Sequence, residues 1–333
     1  LRNVYLSWYD LAMESLAQEV ENIKEYKNVE RVVILGMGGS GIAGDLVSLT
    51  AMETGSLFTA VIKDFYVPRN VVDGKTLVIA ISYSGNTRET ILSLEQCAKR
   101  TSMLAAVSSG GALAKYAREK RIPYVKVRGG LAPRTALPAL YAATMKLLWS
   151  TGVEIAKKGD VENWISILRE TRSADFDSSS LASFLKDAKL PLIVASQRYS
   201  VLAVRIKNEL NENAKMPAKV EIAPELFHND IVGWERKLFK DKAVVVESDV
   251  PYELEYLKLY TEILTDAGFE VVTFRLRGDS VVARTLYGSL VAGLASVRIA
   301  EILGIDPLST KSISRYKDFV VNMEDELRKK LGL

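Results

Sequence analysis

Arg31-Val32-Val33-Ile34-Leu35-Gly36-Met37-Gly38-Gly39-Ser40-Gly41 is the stretch on which the fold turns. Its apolar run shows no alternation, which reads as a strand covered on both faces, the habit of a parallel sheet. The run enters a glycine-rich turn directly, and a helix is predicted from about Gly41 to Thr50. The same order recurs at Thr76-Leu77-Val78-Ile79-Ala80-Ile81-Ser82, which ends in Tyr83-Ser84-Gly85-Asn86-Thr87 and leads into a helix reaching about Lys99. Further strands are predicted at 58–62, 103–107 and 124–127, with a helix over 133–149. Strands alternating with helices at this spacing are βαβ units.

Outward from this block, residues 6–26 have helical spacing, with Leu11, Leu16, Val20 and Ile23 able to share one face. Residues 151–189 read as polar helix without a strand. A second alternation then starts, with strands predicted at 191–195, 218–223, 242–246 and 270–274. Helices are predicted at 200–214, 254–267, 280–303 and 313–331. The expected fold class is α/β: two doubly wound αβα lobes, each with a central parallel sheet. Their expected limits are 1–150 and 190–333, with 151–189 as a helical connection.

Composition excludes several classes of function. In 333 residues, 44 Lys and Arg stand against 41 Asp and Glu, a net charge of only +3. No basic stripe suited to nucleic acid exists, and the run Arg328-Lys329-Lys330 suits the last turn of a helix. There is one cysteine, Cys97, and one histidine, His228. A disulfide within the chain is impossible, and a His/Cys zinc site lacks ligands. No run of 18 apolar residues and no signal-peptide core are present, so no membrane association and a cytoplasmic setting are expected.

Four segments carry chemistry. The two loops around Gly39-Ser40 and Ser82–Thr87 place backbone N–H groups and hydroxyls at helix starts after strands, where an anion such as phosphate is favoured. The plainer alternative is helix capping. Gly36-x-Gly38-x-x-Gly41 also satisfies the dinucleotide fingerprint, with Asp64 or Glu53 as the acid, but such a ligand leaves Ser82, Ser84 and Thr87 without a role. The polar run Lys207–Lys215 holds two carboxylates, Glu209 and Glu212. Glu212 lies near a helix C-terminus, where the dipole opposes a carboxylate, which suits a proton acceptor. A solvated face is the alternative. The fourth is Pro224-Glu225-Leu226-Phe227-His228-Asn229-Asp230, a loop with the lone histidine among polar neighbours.

Taken together these residues resemble the sugar isomerase (SIS) domain proteins, and most closely the archaeal bifunctional phosphoglucose/phosphomannose isomerases. The matching pieces run from Gly36–Asp45 through Ser82–Thr90, Pro133-Arg134-Thr135-Ala136, Asn211–Lys215 and Glu225–Asn229 to Asp306-Pro307 and Lys317. The resemblance implies reversible isomerisation of glucose 6-phosphate and mannose 6-phosphate to fructose 6-phosphate through an enediol, with no metal and no cofactor. It implies that Gly39, Ser40, Ser82, Ser84 and Thr87 hold the sugar phosphate and that Arg134 sits by the reacting carbons. Glu212 is then the base, with Glu209 the alternative. His228 and Lys317 serve ring opening, with Lys311 the alternative lysine. Thr310 leaves room for the mannose reaction. The partners implied are hexose 6-phosphates and a second copy of the chain, in a homodimer whose active sites share His228. A non-catalytic sugar-phosphate-binding module is the second reading, and a dinucleotide-binding oxidoreductase the third.

Overall fold

Each run predicted as a strand forms one, and the computed structural model describes all 333 residues. In chain order, α1 (Arg2–Leu6) and α2 (Trp8–Ala17) precede a two-residue strand, β1 (Val20–Glu21). Then come β2 (Arg31–Leu35), α3 (Gly38–Thr54), β3 (Phe58–Ile62), β4 (Thr76–Ile81), α4 (Arg88–Ala98), β5 (Leu104–Ser108), α5 (Gly111–Glu119), β6 (Tyr124–Lys126) and α6 (Leu137–Ser150). The polar stretch that follows carries α7 (Lys158–Ser166) and α8 (Thr171–Leu185). The second alternation is β7 (Leu192–Ser196), α9 (Ser200–Asn213), β8 (Lys219–Ala223), α10 (Asp230–Gly233), β9 (Lys242–Val246), α11 (Pro251–Ala267), β10 (Glu270–Phe274), α12 (Val281–Ile302) and α13 (Lys311–Leu331).

The chain divides into two units whose limits differ from 1–150 and 190–333. One unit joins Ser7–Ile165 to Thr310–Leu333; the other joins Leu1–Leu6 to Ser166–Ser309. The two ends are thus exchanged, and the 151–189 segment is split. Packing explains both exchanges. Helix α13 docks on α4: Tyr316 Oη donates to Glu89 Oε1 at 2.7 Å, Arg328 Nη1 meets Glu95 at 2.6 Å, and Arg88 Nε lies 3.1 Å from Glu324. Helix α1 belongs with α12, because the Tyr5 ring lies where a methyl on Gly293 would stand, 2.1 Å from Tyr5 Cε1.

In the unit holding Ser7–Ile165 the sheet order is β1-β6-β5-β4-β2-β3. All neighbours are parallel except β1, which runs antiparallel to β6. Val33, Leu35, Val78 and Ala80 face Leu94 of α4 and Leu113 of α5 in one core cluster. On the other face Gly44 lets α3 approach Ile34 and Val61 closely. The helix predicted over 6–26 is shorter than expected. It stops at Ala17, Gln18 turns extended, and Val20 pairs with Val125 at the sheet edge. Pairing with a distant strand overrides the local helical spacing there, and Ile23 is left 67% exposed.

In the other unit four parallel strands take the order β10-β9-β7-β8. Leu192, Val194 and Val245 pack there on Leu257, Tyr260 and Leu264 of α11. Helix α12 is the one helix long and apolar enough to cross a bilayer by composition. It is buried along most of its length, as a helix apolar on all sides is in a protein core. Each sheet contains one point where successive connections leave in opposite directions: between β2 and β4, and between β7 and β9. The crevice outside the carboxyl ends at such a point is where ligands bind in open α/β sheets.

Candidate active site

Both hydroxyl-rich loops leave the β2/β4 switch point. Glycine is needed there for close approach. A methyl on Gly36 would lie 3.1 Å from the Ile81 carbonyl oxygen, and one on Gly39 3.0 Å from the Pro133 carbonyl. Gly85, at φ +70°, is pressed so tightly that a methyl would stand 1.8 Å from the Gly110 oxygen. The loops are clasped together, since the Tyr83 N–H donates to Ser40 Oγ at 3.0 Å. Ser82 is buried, 2.9 Å from Thr87 Oγ1, and its Oγ accepts the Gly85 N–H at 3.1 Å.

Gly39, Ser40, Ser82, Ser84 and Thr87 are therefore gathered around the starts of α3 and α4, but not as equals. Ser40 and Ser82 are buried and shape the loops. Ser84 is exposed and Thr87 half-buried. Thr87 stands at the N-cap of α4 yet makes no side-chain cap bond, so capping does not account for it. The first N–H groups of α4 have no partner within the helix and are the natural donors to an anion.

Arg134 is buried in the short 3₁₀ turn Pro133–Ala136. The turn is fixed by Trp8 Nε1, which donates to the Thr135 carbonyl at 2.8 Å, and it backs onto Gly39. Thr310 is the N-cap of α13, and its carbonyl accepts the N–H of Ile313 at 3.0 Å. Lys317 and Lys311 are both exposed. Lys317 follows Tyr316, whose bond to Glu89 sets that turn of α13 beside the first turn of α4, where Thr87 lies. Burial and the Glu89 carboxylate push the Tyr316 phenol up to about 12, keeping it a donor.

The other unit holds Glu212 and His228. Glu212 is the second-last residue of α9 and half-buried. Lys215 Nζ donates to its backbone carbonyl at 2.6 Å. Glu209, one turn earlier, is only 1% exposed. It accepts Tyr5 Oη at 2.6 Å and Asn213 Nδ2 at 2.8 Å, and pairs with the buried Arg205 guanidinium. Burial and the Glu209 charge push the Tyr5 phenol well up. Glu209 is thus a structural carboxylate that fixes the end of α9, and Glu212 is the more open of the two. His228 closes the 3₁₀ turn Glu225–His228 after the cis Ala223–Pro224 bond, with its side chain exposed.

Sequence reasoning missed Tyr83, Tyr316 and Tyr5, which act by holding other residues, and it offered Glu209 as an alternative base without its bonds to Tyr5 and Asn213. Only Tyr83 carried a signal, through its place inside the hydroxyl-rich loop. The dinucleotide alternative finds little support. The residue after β3 is Lys63, paired with Asp45, and the Asp64 carboxylate turns back to accept the Tyr66 N–H at 3.3 Å. No group of three His, Cys, Asp or Glu side chains is arranged to hold a metal ion.

Comparison with known proteins follows this division into two alternations. The SIS domain family model matches residues 25–149, and that of the bacterial phospho-glucose isomerase C-terminal SIS domain matches residues 175–320. A bifunctional phosphoglucose/phosphomannose isomerase of Aeropyrum pernix is 34% identical over 329 residues, spanning 95% of this chain and 97% of its own. Its counterpart from Aquifex aeolicus is 31% identical over 93% of each chain. Among solved structures, the C-terminal domain of a glucosamine-fructose-6-phosphate aminotransferase from Francisella tularensis superposes with a TM-score of 0.71 at 15% identity. It covers 91% of this chain and 96% of that one, which is a likeness of fold.

Proposed function

The chain belongs to the bifunctional phosphoglucose/phosphomannose isomerase family, and from that premise we propose how its residues perform the reaction. It is an enzyme that isomerises hexose phosphates, interconverting glucose 6-phosphate, mannose 6-phosphate and fructose 6-phosphate. The phosphate sits on the first turn of α4, held by its backbone N–H groups with Thr87 and Ser84, inside the frame set by Gly39, Ser40 and Ser82. The observation that carries this is the clasped pair of loops at the β2/β4 switch point.

Aldose–ketose isomerisation opens the ring, then moves a proton between C2 and C1 through an enediolate. Glu212 is the group that takes the proton from one carbon and returns it to the other. Arg134 supplies the fixed positive charge that steadies the enediolate oxygens. His228 and Lys317 exchange protons with the ring oxygen and the anomeric hydroxyl during opening. Thr310 leaves space for rotation about C2–C3, so that both C2 epimers reach one base. A second copy of the chain supplies His228, which fits its exposed position without a partner in its own chain. The chemistry itself needs no metal, since a base, a ring-opening acid and a fixed cation carry the enediol route. A cytoplasmic setting fits the one buried, unpaired cysteine, Cys97.

A coupled assay on all three hexose 6-phosphates, with and without chelator, tests the reading. Turnover of each, unchanged by chelator, is expected. Turnover of only one sugar, or loss on chelation, would refute the bifunctional, metal-independent assignment. A thermal melt raised by NAD(P) and not by fructose 6-phosphate would restore the dinucleotide alternative.

A further inference from the structure

The loop that carries His228 is fastened by a charged cluster to which the reaction gives no direct part, and we propose that Lys219, Glu221 and Asp230 are positioning residues for His228. The inference rests on the role assigned to His228 above.

Lys219 and Glu221 lie two apart on β8, the edge strand of its sheet, so their side chains leave the same face. The Glu221 side chain is fully buried and accepts Lys219 Nζ at 2.6 Å and Tyr260 Oη at 2.6 Å. Lys219 also reaches Asp230 Oδ1 at 2.7 Å, the first residue of α10 and two residues beyond His228. Trp234, at the end of α10, closes the cluster: its Nε1 donates to Tyr260 Oη at 3.0 Å, and the Lys219 ammonium lies 5.2 Å from its ring centroid. On the other flank of His228, the Phe227 ring makes edge contacts with Tyr260 at 5.5 Å and Tyr256 at 6.0 Å.

The backbone of His228 is therefore gripped on both sides, by an aromatic slot before it and an ammonium after it, while its imidazole stays exposed. A cluster in which Glu221 is buried but Lys219 is 41% and Asp230 27% exposed is a poor way to add stability, since partly exposed ion pairs contribute little. It is a good way to fix a direction. Its bonds are short and charge-assisted, and a proton-transfer group must be held to a fraction of an ångström.

The test compares Asp230→Ala, Asp230→Asn, His228→Ala and the double variant His228→Ala/Asp230→Ala in the full chain. Each is assayed on a cyclising hexose 6-phosphate and on an analogue lacking the hydroxyl that closes the ring. Asp230→Ala is expected to lower kcat for the cyclising sugar by about 10- to 100-fold, the scale of an ångström misplacement, with KM little changed. Turnover of the analogue should be unaffected, and the double variant no slower than His228→Ala alone. Asp230→Asn keeps an acceptor for Lys219 and should recover most of the loss. Losses that add in the double variant, or that fall equally on both substrates, overturn the inference. Should Asp230→Ala not fold, Lys219→Met, which removes the ammonium that holds Asp230, decides by the same rule, alone and combined with His228→Ala. If His228→Ala alone keeps full turnover, the role of His228 fails, and the inference fails with it for a reason visible without any Asp230 variant.

Discussion

Exchanging Glu209 and Glu212 for glutamine, one at a time, separates the structural carboxylate from the proposed catalytic one by opposite signatures. Glu209 is 1% exposed and bonded to Arg205, Tyr5 and Asn213. Glu209→Gln leaves a buried guanidinium without its counter-charge, a change that costs about 3–5 kcal/mol. In a unit of about 150 residues each kcal/mol moves Tm by roughly 2–4 °C, so Tm should fall by roughly 6–20 °C. Glu212→Gln changes a half-buried residue near a helix end and should leave stability within about 0.5 kcal/mol. Removal of the proton acceptor should instead lower kcat by about 10²- to 10⁴-fold. Calorimetry and a coupled assay run below both melting points give the two readouts. A Glu209→Gln protein with unchanged Tm and lost turnover, beside an active Glu212→Gln protein, would refute the reasoning and assign the proton transfer to Glu209.

Other outcomes are as definite. Ser84→Ala and Thr87→Ala should each weaken hexose 6-phosphate binding by about 1.5–3 kcal/mol, a donor lost to a charged acceptor, and an unchanged KM in both would remove the phosphate from α4. Gly85→Ala meets both a left-handed backbone and the Gly110 carbonyl. It should cost more than the roughly 1–2 kcal/mol of the backbone penalty alone, read by denaturant unfolding, and a wild-type midpoint would contradict the packing. Thr310→Gln should lower mannose 6-phosphate turnover far more than glucose 6-phosphate turnover, and the two sugars should compete with inhibition constants near their own KM; equal losses or absence of competition would count against one shared site. Burial pushes the Cys97 thiol up to about 12, so it stays protonated below that value and should be silent to a thiol reagent at pH 8 until the protein unfolds.

The parts of the fold legible in the sequence are those whose signal is continuous. β2 and β4 are unbroken apolar runs, and the loops that follow carry glycine and hydroxyl groups within a few residues, so strand, turn and candidate anion site all lie in one window. β1 was hidden because two residues, Val20 and Glu21, give no period, and their strand character comes from β6, about a hundred residues away. The unit limits were hidden for the same reason. The Tyr5–Glu209 bond spans 204 residues and Tyr316–Glu89 spans 227. Among the candidate residues, Glu212 and His228 stood out by residue type and Lys317 only through the resemblance, with Lys311 as its alternative, and sequence alone left Glu209 as a rival to Glu212. Only its burial against Arg205 distinguishes it. The Lys219–Glu221–Asp230 cluster uses two elements and reads in sequence as ordinary surface charge.

The exchange of chain ends bears on how such a protein can be cut, inherited or rebuilt. A gene fragment encoding Ser166–Ser309 lacks Tyr5, leaving Asn213 and Glu209 without the phenol they bind and α12 with an open groove at Gly293. A fragment ending at Ile165 lacks α13 and exposes Glu89 and Glu95 on α4. During synthesis on the ribosome neither unit can be finished before the stretch that completes it emerges: α1 waits for residues 166–309, and the unit holding Ser7–Ile165 waits for α13. The two alternations look like consecutive modules in the reading frame, yet a cut between them parts each half from the end segment that packs on it. Splitting the chain into working pieces would require a permuted gene, with α1 moved beside α12 and α13 moved beside α4.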